Sequence, residues 1–218
     1  MTDTPRHAAP EFSAAFADQF RDLVYWRRDV RRFRPDPLPA GSVERLIELA
    51  CRSPSVGNCQ PWRFVLVASE ARRDAVRASF RRANQSALDG YDGEQRELYA
   101  RLKLEGLEKA PVHLAVFADE DTERGAGLGR QTMPEVLRYS VVGAIHTMWL
   151  AARAEGIGLG WVSILEPDVV TQALDVPADW SLVAYLCLGR PVEEHLDPEL
   201  ERAGWQARAD TADLVLRR

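Results

Sequence analysis

The chain of 218 residues is long enough for one substantial domain, and its 46% hydrophobic content can fill a core beneath an ordinary charged surface. A formal net charge of −5 argues against a general binder of nucleic acid or anionic membrane. Three cysteines (Cys51, Cys59 and Cys187) without CxxC spacing argue against a disulfide framework or a zinc site, and make a reducing cytoplasm the simplest setting.

Residues 1–12, MTDTPRHAAPEF, lack the apolar stretch of a secretory signal and read as a flexible arm ahead of one domain over 13–218. From Phe12 to Arg28, Phe16, Phe20, Leu23 and Val24 recur at helical spacing. Three prolines between Arg32 and Ser42 predict an extended connection, and Ser42 is the expected N-cap of a helix to Cys51 with Val43, Leu46, Ile47 and Ala50 inward. A turn-rich loop, Arg52 to Trp62, feeds a strand over Arg63–Ser69. Residues 70–110 are charged and helical on both sides of LDGYDG, which suggests an excursion from the core, a lid over about 79–110. Strands follow at Val112–Ala118, Gly158–Leu165 and Ser181–Gly189, with a long helix from about Pro134 to Glu155 and a short one near Asp168–Leu174. The longest apolar stretch, Val141 to Ala152, falls short of the roughly 20 residues that span a bilayer. This order predicts an α+β domain with a central sheet flanked by helices, and a charged C-terminal arm over 191–218 that wraps a partner subunit.

Three segments could carry chemistry. In RRDVRRF, Arg27 to Phe33, a helix end or tight turn would put the forked donors of Arg27 and Arg31 on one side to hold a phosphate, although a run of charge is ordinarily a solvated patch. SPSVGNCQPWRF, Ser53 to Phe64, could offer hydrogen-bonding groups to a planar heterocycle, or its Asn58 and Gln60 could merely satisfy their own loop. In GIGLGWVSIL the glycines permit close approach of a ligand or of another element, and they stand in the wrong order for a dinucleotide turn. Ser163 is the lone hydroxyl on this predicted strand and needs a partner, backbone or ligand. His146 reads as a core histidine; the four histidines form no cluster of metal-ligand spacing, so no metal is expected.

Together, in this order, the segments resemble the flavin-dependent nitroreductase superfamily. RRDVR, SPSVGNCQPWRF, LKLEGLEKAP and YSVVGAIHTMWLAARAEGIGLGWVSI are similar to one branch, the 5,6-dimethylbenzimidazole synthases, across about Leu23 to Trp205. Asp29 stands where the wider superfamily carries a hydroxyl. The resemblance implies a mainly antiparallel sheet with a helical lid, FMN as ligand, and a homodimer with sites at its interface. It assigns Arg27, Arg28, Asp29, Val30 and Arg31 to the phosphate and ribityl chain, Ser55 and Leu104 to flavin contact, and Ser163 to the ring. After Gly189 only Arg190 offers itself as a further basic phosphate ligand.

The reaction implied consumes the flavin. Reduced FMN and dioxygen give 5,6-dimethylbenzimidazole, the lower ligand of cobalamin, and erythrose 4-phosphate; NAD(P)H enters indirectly, through a separate flavin reductase. Asp29 and Ser163 are the implied catalytic residues, Asp29 as an ionised carboxylate among arginines that accepts a proton. Two other readings use the same scaffold: an NAD(P)H-dependent FMN nitroreductase that recycles its flavin, and a non-catalytic flavin carrier or sensor.

Overall fold

Alternation along the last long strand decides the layers. Ala184, Leu186 and Leu188 face one core while Tyr185 and Cys187 face another, so this strand is buried on both sides. A computed structural model describes residues 9–218. Of the flexible arm expected over residues 1–12, residues 1–8 lie outside the described residues; residues 9–12 are exposed and without regular structure.

The described residues form helix α1 (Ala14–Trp26), α2 (Ser42–Ala50), strand β1 (Trp62–Leu66), α3 (Glu70–Asp89), α4 (Gly93–Arg101), β2 (Val112–Asp119), α5 (Val136–Ala154), β3 (Gly158–Val162), α6 (Pro167–Leu174), β4 (Trp180–Gly189) and α7 (Glu199–Arg202). The strands form one antiparallel sheet in the order β1-β2-β4-β3. Against one face, α5 and α2 bury Val141, Ala144, Ile145, Met148, Leu46 and Ala50. Against the other lie Val76 of α3, Val170 and Leu174 of α6, and Leu107 and Ala110 from the segment after α4. Within the charged excursion, α3 packs on α6 and buries Val76 fully.

Several local expectations change. Gly41, at φ 78°, takes the N-cap position of α2, because the turn that closes the proline-rich connection needs a left-handed residue; Ser42 becomes the first helical residue, its amide donating to the Pro39 carbonyl at 3.1 Å. Val43 and Ile47 are only half-buried there. His146 is exposed, not core: with inward positions at Ile145 and Met148, it falls on the outer face beside Tyr139 and Val142. The buried histidine is His113 on β2, whose Nδ1 lies 2.9 Å from the Tyr185 hydroxyl. Residues of the C-terminal arm contact their own chain. The Val192 amide donates to the Arg32 carbonyl at 3.0 Å, and Trp205 packs edge-on against Tyr91 and Tyr99. Among the described residues no helix is long and apolar enough to cross a membrane.

Candidate active site

β3 is an edge strand, and its open side is covered by the segment that follows α1. Asp29 forms a parallel bridge with Leu159, and the Val30 amide donates to the Leu159 carbonyl at 3.0 Å. The glycines of β3 make this possible. A Cβ on Gly160 would overlap the Val30 carbonyl oxygen, and one on Gly158 would press on the Val30 side chain. Of the two uses open to these glycines, close approach of another element is the one found.

Because residues 27–31 are extended rather than helical, side chains alternate. Val30 faces the β3 glycines. The Arg28 guanidinium is spent on carbonyls, donating through Nε to Leu196 at 2.8 Å and through Nη2 to Tyr25, so it fastens the C-terminal arm. Its own carbonyl accepts from the Trp149 indole of α5 at 3.1 Å. Arg27, Asp29 and Arg31 form the other set. Asp29 accepts the Trp161 amide on Oδ1 at 2.8 Å and Arg31 Nε on Oδ2 at 2.8 Å, while the Arg27 guanidinium stacks 4.8 Å from the Trp149 ring centroid. Arg31 also donates to the Lys103 carbonyl at 2.9 Å, which brings the segment around Leu104 to this cluster.

Ser163 lies just past the end of β3, two residues beyond Trp161. It is exposed, and its hydroxyl has no hydrogen-bond partner among the described residues, so it is not the buried strand hydroxyl that the sequence suggested. Ser55 is elsewhere. Its hydroxyl accepts the Gln60 amide at 3.0 Å, and the loop is pinned to α5 through Val56 N–H to Ser140 at 3.1 Å and Ser53 to Thr147 at 2.7 Å. Asn58 and Gln60 pair with each other at 3.2 Å, both at positive φ. No hydrogen bond or ion pair among the described residues joins segment 53–60 to segment 27–31 within one chain.

Electrostatics separate the two acid–base questions at this site. Burial pushes the Asp29 carboxyl above the ordinary aspartate value, and this outweighs the opposing effects of Arg31, the Trp161 amide and Arg27. The arginines therefore do not hold it as low as their number suggests, although the side chain keeps a partly open face. Burial lowers the Arg27 pKa, Asp29 opposes this, and the positive charge of Arg208 adds to it; Arg208 also lowers that of Arg28. Arg208 comes from the C-terminal arm, and no motif announces it. Arg190, the only basic candidate from the sequence, is exposed and contributes its backbone carbonyl, which accepts the Arg34 amide at 2.9 Å. Arg208 itself pairs with Glu201 at 3.9 Å, and the guanidinium donors of Arg27 and Arg31 are of the kind that fit a phosphate ester.

Residues 24–190 match the family model described as "Nitroreductase family". The chain belongs to the nitroreductase family, and its α+β sheet is that fold. Within it, the chain is 58% identical to the 5,6-dimethylbenzimidazole synthase of Rhodospirillum rubrum over 91% of this chain and 94% of that protein. It is 48% identical to the 5,6-dimethylbenzimidazole synthase of Rhodobacter capsulatus, over 92% of this chain and 97% of that one. Among solved structures, an oxidised iodotyrosine deiodinase bound to FMN and 3-iodo-L-tyrosine superposes with a TM-score of 0.68 at 25% identity, covering 81% of this chain and 91% of that chain.

Proposed function

We propose that the protein converts reduced FMN and dioxygen into 5,6-dimethylbenzimidazole and erythrose 4-phosphate. The carrying observation is the similarity, along nearly the whole chain, to the Rhodospirillum rubrum synthase. The dimethylbenzene part of the reduced ring and the first ribityl carbon would supply the benzimidazole, the other four ribityl carbons would leave as erythrose 4-phosphate, and the reduced flavin would supply the electrons that dioxygen takes up. Arg27 would bind the phosphate, with Arg31 held beside it by Asp29. Arg28 and Val30 would touch flavin only through backbone, since their side chains are engaged elsewhere. The Asp29 carboxylate would accept a proton at the ribityl chain, and the unpaired Ser163 hydroxyl would donate to the ring. The segment around Leu104 would shield the ring from water.

A homodimer completes this reading. Ser55 lies on a loop unconnected to the arginine segment in one chain, so its contact with the same flavin would come from a second copy. Exposed Phe16, Phe20 and Val24 on α1 and Tyr139 and Val142 on α5 give that copy an apolar face to cover. The free cysteines suit a reducing cytoplasm, and a separate reductase drawing on NAD(P)H would supply the reduced flavin.

The test is to add reduced FMN to the protein in air. Formation of 5,6-dimethylbenzimidazole supports the proposal. Steady nicotinamide oxidation with a nitro compound and no benzimidazole points to a recycling nitroreductase, and tight binding without turnover points to a carrier.

A further inference from the structure

Leu104 is flanked by two charged residues that are tied to each other and to the arginine segment. The Lys103 carbonyl accepts Arg31 Nη1 at 2.9 Å, and Arg31 Nε holds Asp29 at 2.8 Å. The Lys103 ammonium donates to Glu105 Oε1 at 2.5 Å, and Glu105 Oε2 accepts the Leu107 amide. Glu105 is buried and Leu107 almost completely so. Beside them, a Cβ on Gly106 would overlap the Phe33 ring, so the backbone here is pressed onto the end of the arginine segment. A buried carboxylate is costly unless its oxygens are satisfied, and here both are spent on shaping one short turn.

We propose that Glu105 and Lys103 are positioning residues that fix Leu104 at the site and couple the lid to Asp29 through Arg31. This rests on the flavin-fragmenting reading. A loosened turn would let water reach the ring, and bound reduced FMN would then pass two electrons and two protons to dioxygen, giving oxidised FMN and hydrogen peroxide instead of benzimidazole. The pair would therefore set how reduced flavin divides between product and peroxide, more than how tightly flavin binds.

The test uses Glu105→Gln, which keeps an acceptor for the Leu107 amide but loses the ion pair, and Lys103→Met, which leaves the backbone clamp to Arg31. Lys103→Arg is the conservative rescue. With FMN bound, amide hydrogen exchange at residues 103–107 should quicken in the first two variants. The ratio of 5,6-dimethylbenzimidazole to hydrogen peroxide should fall about tenfold, with FMN affinity nearly unchanged. Lys103→Arg should restore both readouts. Unchanged exchange and an unchanged ratio in Lys103→Met would overturn the proposal, and that variant carries the test if Glu105→Gln does not fold. If the unmodified protein makes no benzimidazole, the functional reading fails separately. The exchange data and the rate of peroxide formation then decide the positioning role alone.

Discussion

The Asp29 carboxylate accepts the Trp161 amide at 2.8 Å, standing in for the neighbouring strand that edge strand β3 lacks. Asp29 is thus a structural tie at the sheet edge. Asparagine retains a carbonyl oxygen for Trp161 but neither accepts a proton nor pairs with Arg31. Asp29→Asn should bind FMN nearly normally and lose product formation by about a hundredfold or more. Serine is too short to reach the amide, so Asp29→Ser should weaken FMN binding as well. Titration with FMN and a product assay on the two variants check both statements; normal benzimidazole yield from Asp29→Asn would remove Asp29 from the chemistry.

Ser163 gives a cleaner separation of stability from reaction. It is exposed and its hydroxyl bonds to nothing among the described residues, so Ser163→Ala should alter unfolding free energy by no more than about 0.5 kcal/mol. Product formation should slow while the melting temperature stays put. Unchanged turnover would leave Ser163 without a role at the site.

Gly160 has no room for a side chain, because a methyl group there meets the Val30 carbonyl. Gly160→Ala should push the arginine segment off β3, destabilising the protein by about 1–3 kcal/mol and weakening FMN binding out of proportion to that loss. Calorimetry alongside FMN titration reads both effects.

Burial, with Arg73 and Arg77 adding to it, pushes the His113 pKa down to about 4. Between that value and 6.5 the unfolded chain binds the proton more readily than the folded one, so stability falls as pH drops through this window and is fully present above it. The loss should reach about 3 kcal/mol. Replacing the pair together, His113→Leu with Tyr185→Phe, should flatten the profile without leaving an unpaired hydroxyl. Urea unfolding from pH 7 to pH 4 provides the comparison.

Much of this was legible in the chain. The alternating Ala–Tyr–Leu–Cys–Leu run of β4, the periodic α5 and the glycines of β3 mark the layers, because period and volume are local properties. What escaped depends on chain geometry. Arg27, Asp29 and Arg31 do share a side, but through extended alternation rather than a helix end. His146 looked buried on an apolar helix until its phase relative to Ile145 placed it outside. Arg208 and Glu105 carry no motif; one gains meaning from an arm folding back, the other from a turn two residues wide. Ser55 makes no hydrogen bond or ion pair with the arginine segment among the described residues.

The central claim is that flavin is consumed rather than recycled, and a mass balance tests it most directly. Reduced FMN should be incubated with the protein in air, with 5,6-dimethylbenzimidazole, erythrose 4-phosphate and remaining FMN quantified together. The account predicts equimolar benzimidazole and sugar phosphate, matched by the FMN lost. Full recovery of oxidised FMN with neither product would contradict it.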